Sequence, residues 1–270
     1  MEYVLETHAL RKKYHQSSAL DGLTMAVPKG AIYGLVGKNG AGKTTLIWLI
    51  CGLQAPTGGS YTLCGVPHTS PDIARSRRRM GAVVETPALY LDVSAEENLR
   101  LQYQVLGMPS YDGIDRLLRL MGLADTGPKQ VKHFSLGMRQ RLGIAVALAG
   151  DPDFLVLDEP TNGLDPQGII ELRELILKLN REQGITALLS SHILDELSRV
   201  ATWYGFLDQG RMVRQMSARE LEAACRKCVR VTVSDTTVLA REHCEVFTMT
   251  EREESLEGFF LELLGGELHE

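Results

Sequence analysis

Along this chain, short apolar runs alternate with stretches of helical spacing. Residues 3–10 and 23–27 alternate or cluster apolar side chains as strands do, and Pro28-Lys29-Gly30 marks a turn before a third run, 31–36. Further strands are predicted at 61–65, 80–84, 154–157 and 185–189; the unbroken FLVL of 154–157 suits the middle of a parallel sheet. From Ser94 the spacing turns helical. Ser94 and Glu97 form a capping box, and apolar positions recur over 99–106 and 114–121, with breaks at Met108-Pro109 and Gly127-Pro128. A long helix follows Ser135, and another opens at Asp165-Pro166, an N-cap before a proline at the first helical position. Runs 203–207 and 211–215 flank Asp208-Gln209-Gly210 as a hairpin. Beyond Met216 the texture changes, with a capping box at Ser217 and Glu220, a candidate strand at 229–233 and an amphipathic helix at 256–264.

The chemistry gathers where strands end. After the run 31–36, residues 37–44 read G-x-x-x-x-G-K-[ST], and a helix-forming run follows. In that pattern Gly37, Gly40 and Gly42 let the backbone wrap a phosphate chain, so that the amides of Lys38, Asn39, Ala41 and their neighbours meet it together with the positive end of the helix. Lys43 reaches the β- and γ-phosphates, the Thr44 hydroxyl completes a Mg²⁺ shell, and Thr45 continues the cradle. After 154–157 stand Asp158 and Glu159. Two adjacent acids behind a buried strand are costly unless they meet a cation or do catalytic work. Asp158 is read as a Mg²⁺ ligand and Glu159 as the group that polarises the attacking water. His192 follows the strand 185–189, and Glu85 ends the strand 80–84. A lone histidine is usually structural, but in a parallel sheet ligands collect at carboxyl ends, where both residues join the phosphate loop. Tyr14 is either a half-buried edge residue or a stacking face for a base. Arg75 and Arg77 to Arg79 read as a solvated helix face.

Composition narrows the partners. Across 270 residues, 44% are hydrophobic, enough for a normal core, and 29 Lys+Arg against 34 Asp+Glu leave a net charge of −5, which offers nucleic acid no general attraction. The longest strongly apolar stretch, 142–149, falls far short of the ~20 residues that span a bilayer. Five irregularly spaced cysteines read as reduced thiols. A zinc site could be drawn from Cys225, Cys228, His243 and Cys244, but the second pair is adjacent in sequence and the first is not repeated.

Phosphate loop, acidic strand end, helical insert and downstream histidine, in this order, resemble the nucleotide-binding domain of ATP-binding cassette (ABC) transporters over residues 1–215. The resemblance implies a P-loop NTPase (RecA-like) α/β fold with a parallel-sheet core, an N-terminal antiparallel β subdomain and an α-helical subdomain inserted at about 86–150; residues 216–270 are appended. It assigns Tyr14 to adenine stacking and FSLGM, 134–138, to the family's signature, with Ser135 and Gly137 as its serine and second glycine. Asp165 falls in the loop that crosses the dimer interface, and His192 becomes the switch histidine. Leu136 and Met138 replace a glycine and a glutamine. Glu85 replaces the glutamine that links Mg²⁺ and attacking water to the membrane partner, so Glu85 counts here as both a catalytic and a metal-site candidate.

A glutamate there, with SLGMRQRLGIA and SSHILDEL, is similar to the lantibiotic-immunity and bacitracin-resistance branch, and SLEGFFLELLGG at 255–266 looks like that branch's terminal helix. The implied function is an ATPase that pairs with a second cassette, identical or paralogous, and powers a separate membrane permease exporting an antimicrobial peptide. ATP and Mg²⁺ are its cofactors, and its place is the cytoplasmic face of the membrane, soluble when isolated. The alternative is a soluble ATPase of the same fold that acts as a regulatory or assembly module without a permease. Chromosome-maintenance and translation ATPases would need a coiled-coil insert or a second cassette.

Overall fold

The computed structural model describes residues 2–224 and, further on, the backbone of two strands at 227–233 and 246–253. Internal contacts divide the chain into two units, Met1–Gln215 and Met216–Glu270.

In the first unit, β1 (Tyr3–Tyr14) pairs antiparallel with β2 (Ser17–Pro28) on one side and with β4 (Gly58–Leu63) on the other, and short β5 (Val66–Pro67) closes the sheet. Both long strands run past the apolar pattern into polar sequence, because pairing alone carries them to the turn, down to Tyr14 opposite Ser17. Tyr14 therefore ends β1 and does not lie in a connecting segment. A register shift inside this hairpin is satisfied by buried Thr7, whose hydroxyl donates to Leu23 O and accepts the Met25 amide, both at 3.0 Å.

The second sheet has six strands in the order β10-β9-β3-β8-β7-β6. They are β3 (Ile32–Val36), β6 (Met80–Val83), β7 (Phe154–Leu157), β8 (Thr186–Ser191), β9 (Trp203–Asp208) and β10 (Arg211–Ser217). From β6 to β9 the pairings are parallel. Every residue of β3, β7 and β8 is buried, which explains their unbroken apolar runs. β8 outlasts its apolar run by two residues, and Ser190 and Ser191 end it inside the sheet. Chain order reverses around β3, which has β8 on one side and β9 on the other, and such a switch point opens a crevice at the strands' carboxyl ends.

Helix α1 (Lys43–Cys51) lies between the sheets, and Leu46, Ile47, Leu49 and Ile50 join one core with Leu5, Leu23, Tyr61, Phe154 and Leu188. Its C-terminus corrects the reading of the arginine run. Arg77, on α2 (Ile73–Arg78), turns inward, donating from Nε to Ile50 O at 3.3 Å and from Nη2 to Tyr61 Oη at 2.7 Å. The guanidinium thus caps the negative end of α1. Nearby Cys51 is a free thiol whose pKa burial pushes up to about 12, so it is no nucleophile at neutral pH.

The inserted lobe consists of α3 (Ala95–Leu106), α4 (Gly113–Leu120) and α5 (Leu136–Leu148). At its entry Ser94 Oγ accepts the Glu97 amide at 3.2 Å and Glu97 accepts the Ser94 amide at 2.8 Å. Gly81 lets β6 approach α5, since a Cβ there would stand 2.2 Å from Ala147 O. α6 (Pro166–Gln183) and α7 (Leu194–Ser198) complete this unit.

In the second unit, α8 (Ala218–Ala224) precedes an antiparallel pair, β11 (Lys227–Val233) and β12 (Val246–Glu253). β11 covers the strand read at 229–233. The helix read at 256–264 and the side chains of Cys225, Cys228, His243 and Cys244 lie outside the described residues. Among the described residues no helix is long and apolar enough to cross a membrane.

Candidate active site

Between β3 and α1 the chain makes a loop whose shape depends on glycine. Gly40 and Gly42 adopt φ of 82° and 110°, and a Cβ on Gly42 would collide with Ala19 O at 2.6 Å. The loop is braced from behind, where the Gly210 amide donates to Ala41 O and the Asp21 amide donates to Gly210 O, each at 2.9 Å. No side chain caps α1, so its first amides are free to meet an anion along the positive end of the helix. The cleft in front measures about 180 Å³ and is lined by Ala19, Asn39, Gly40, Gly42, Lys43, Thr44, Thr45 and Glu159. Gly37, Lys38 and Ala41 stand just behind: Lys43 Nζ donates to Gly37 O at 2.6 Å and Lys38 O at 3.3 Å, and the Ala41 amide to Lys38 O at 3.1 Å.

The two acids part company at the end of β7. Asp158 is buried, and its Oδ1 accepts the Ser190 hydroxyl at 2.5 Å, while no described side chain bonds to its Oδ2. Glu159 takes a left-handed φ of 46°, a conformation that costs a residue with a Cβ roughly 1–2 kcal/mol. Its amide is held by Ser190 Oγ at 2.8 Å. Its carboxylate stands between two cations or potential cations: Oε2 lies 2.8 Å from His192 Nδ1 and Oε1 lies 3.0 Å from Lys43 Nζ. A carboxylate only accepts, so His192 must carry its proton on Nδ1, leaving Nε2 for a second partner. The Lys43 contact lacks hydrogen-bond alignment, and Oε1 is otherwise a buried acceptor without a donor. Such an atom is suited to hold a water.

The other residues named from sequence lie apart from this cleft. Tyr14 is half-buried; its hydroxyl donates to Gln54 Oε1 at 2.5 Å, and the Lys12 ammonium lies 5.0 Å from the ring centre. Glu85 follows β6, in register beside the β7 end that carries Asp158, but it is exposed, has φ of 58° and makes no hydrogen bond or ion pair with a described residue. Ser135, Gly137 and Asp165 share a different cleft of about 320 Å³ with Gly163, Leu164 and Gly168. Two helices begin there, each capped by its own residue: Ser135 Oγ accepts the Met138 amide at 3.2 Å, and Asp165 Oδ1 accepts the Gly168 amide at 2.9 Å.

Sequence reasoning missed the supports. Ser190 holds both acids because Leu157 pairs with Leu189 in register, and Gly210, in the turn after β9, braces the loop together with Asp21 of β2, both distant in sequence. Only the strand-end position of Ser190 signalled its part.

Fold and cleft together define a phosphate-loop nucleotide-binding protein. Residues 20–162 match the ABC transporter family. The chain belongs to that family, and it binds and hydrolyses ATP. A bacitracin transport ATP-binding protein of Enterococcus faecalis is 39% identical over 241 residues, spanning 89% of this chain and 78% of the relative. A lantibiotic transport ATP-binding protein of Streptococcus pyogenes is 42% identical over 210 residues, 78% of this chain and 89% of the relative. A solved cassette from Clostridium perfringens, part of an ABC transporter complex, superposes with a TM-score of 0.73 at 28% identity, covering 83% of this chain and 92% of the other.

Proposed function

We propose that the chain is the ATPase subunit of an exporter of antimicrobial peptides, bacitracin-like or lantibiotic, docked on a separate permease at the cytoplasmic face of the membrane. The names of its relatives supply the cargo class, and Glu85 with the segments SLGMRQRLGIA and SSHILDEL supplies the branch. The observation that carries the enzymatic part is the cluster of Lys43, Glu159 and His192 at the mouth of an uncapped helix.

In this reading the loop amides and Lys43 bind the phosphates, and Lys43 exchanges its contacts with Gly37 O and Glu159 for phosphate oxygens. Tyr14 stacks on adenine. Asp158 and Thr44 hold Mg²⁺, with Glu85 as a further carboxylate at the same strand ends; the free Oδ2 of Asp158 and the hard oxygen donors fit that ion. When bound, Mg²⁺ neutralises charge on the phosphates. Glu159 orients and deprotonates the attacking water, and His192, held by Glu159 through Nδ1–H, donates toward the γ-phosphate from Nε2 when the ring carries both protons.

Ser135, Gly137 and Asp165 open onto a cleft separate from the phosphate loop, which supports a composite site in which a second cassette, identical or paralogous, presents these residues to the bound nucleotide. Closure then depends on the γ-phosphate and is released on hydrolysis, and that difference drives the permease. The test is Glu159→Gln. It should keep ATP affinity, lose hydrolysis by about 10²-fold or more, as expected for a lost general base, and accumulate ATP-bound dimers in size-exclusion chromatography. Turnover at the wild-type rate rules Glu159 out.

A further inference from the structure

One carboxylate behind the cluster has no part in these steps. Glu196, on α7, is half-buried, and its Oε2 accepts the Thr161 hydroxyl at 2.5 Å and the Ser191 hydroxyl at 3.3 Å. Ser191 Oγ also accepts the Ile193 amide at 3.0 Å, and Ser191 O accepts the Gly37 amide at 3.3 Å. Thr161 belongs to the loop that carries Glu159, and Ser191 immediately precedes His192. A single oxygen therefore ties the loop after β7 to the loop after β8, at a point joined by backbone to the first residue of the phosphate loop.

No described cation lies within ion-pair distance of Glu196, although Arg173 lines the same small, largely apolar cavity with Leu172, Ile176 and Leu197. Its charge is answered by two hydroxyl donors, and hydrogen bonds to an ionised acceptor are shorter and roughly twice as strong as neutral ones. Both hydroxyls lie within two residues of the groups that meet at 2.8 Å, Glu159 and His192.

We infer that Glu196 is a positioning residue for hydrolysis, setting the distance between Glu159 and His192 through Thr161 and Ser191. The inference rests on the proposal that Glu159 and His192 act at the γ-phosphate. Misplacing a catalytic group by about 1 Å can cost on the order of 10²-fold in rate, whereas Glu196 touches no residue of the phosphate loop directly and the loop is separately braced by Gly210. Its loss should therefore appear in kcat and not in KM.

The experiment compares steady-state hydrolysis by the full chain for Glu196→Ala, Glu196→Gln, Thr161→Val and the double variant Thr161→Val/Glu196→Ala, with Glu159→Gln in parallel and thermal unfolding of each. Glu196→Ala should lower kcat roughly 10- to 100-fold and leave the KM for ATP within about twofold. Glu196→Gln keeps an oxygen to accept the Thr161 hydroxyl and should restore most of the rate. The double variant should be no slower than the slower single one, because both act through one link. Unchanged kcat in Glu196→Ala, additive losses in the double variant, or a loss that Gln does not restore overturns the inference. Should Glu196→Ala fail to fold, Glu196→Gln and Thr161→Val carry the same test through the kcat and KM split. An active Glu159→Gln brings down the underlying assignment of the base, whereas an inactive Glu159→Gln beside a fully active Glu196→Ala brings down the role of Glu196 alone.

Discussion

Two clefts in this chain stand before helix N-termini, and they are built in different ways. α1 begins on Gly42 with no side-chain cap, beside a buried lysine, and its loop is braced from behind by Gly210, itself held by the Asp21 amide. α5 and α6 begin on Ser135 and Asp165, which cap their own helices, and the 320 Å³ cleft between them holds an ion pair, Arg141 with Glu171, in place of a lysine aimed at an anion. The first cleft supplies free amides, a cation and a carboxylate with one buried oxygen left without a donor. The second offers a hydroxyl, a bare glycine and space. A helix N-terminus can meet phosphate within its own chain only when its amides are left open and charge is brought to it; in the proposed composite site, the second cleft is the part that would serve phosphates held by another chain.

Glycine substitutions put this contrast under strain, since the two clefts need glycine for different reasons. A Cβ on Gly137 would meet only Leu164 Cδ2, at 3.7 Å, so a side chain fits without disturbing the fold. Gly137→Asp should leave ATP binding to the single chain and thermal stability near wild type, yet lower hydrolysis about 10²-fold by presenting a carboxylate to the γ-phosphate. Binding titration beside phosphate release checks it, and equal losses in both assays would mean the two clefts are not separate. Gly42→Ala should act on the fold. At φ of 110° and 2.6 Å from Ala19 O, the methyl group forces the loop to shift, at a cost of about 1–3 kcal/mol in denaturant unfolding. Unaltered stability would show that the loop is looser than its glycines imply.

The smallest effect concerns the cap of α3, which stands outside both clefts. Hydrogen bonds from the Ser94 backbone and hydroxyl hold the Glu97 carboxyl below its usual pKa. A lowered folded-state pKa adds stability that is complete above the unfolded value and is lost as pH falls through the folded one. Ser94→Ala should cost about 1 kcal/mol near neutral pH, and the gap between variant and wild type should narrow at acid pH. A constant gap would assign the loss to the bond from the Glu97 amide to Ser94 Oγ, which does not titrate.

Much of the first cleft was legible because its information is local. The glycines, Lys43 and Thr44 fall within eight residues, and each answers a local need of backbone or charge. Both capping boxes, the N-cap at Asp165 and the apolar run of β7 were legible for the same reason. Arg77 was misread as solvated because nothing nearby in sequence shows that a helix C-terminus 27 residues upstream needs a donor. The sequence places Glu85 with the acids, and it does stand at the matching strand end, but its side chain is exposed and has no partner among the described residues.

By itself, then, the sequence determined the phosphate loop, the strands and caps around it, and the residue types able to do phosphate chemistry, since these depend on short-range sterics and periodic burial. Only the tertiary structure decided that Ser190 holds Asp158 and Glu159, that Glu196 spans the loops after β7 and β8, and that Ser135 shares a cleft with Asp165 and not with Lys43. Those relations follow from the register of β7 against β8 and the packing of α5 beside α6. Pairing across thirty or more residues leaves no periodic trace in the chain.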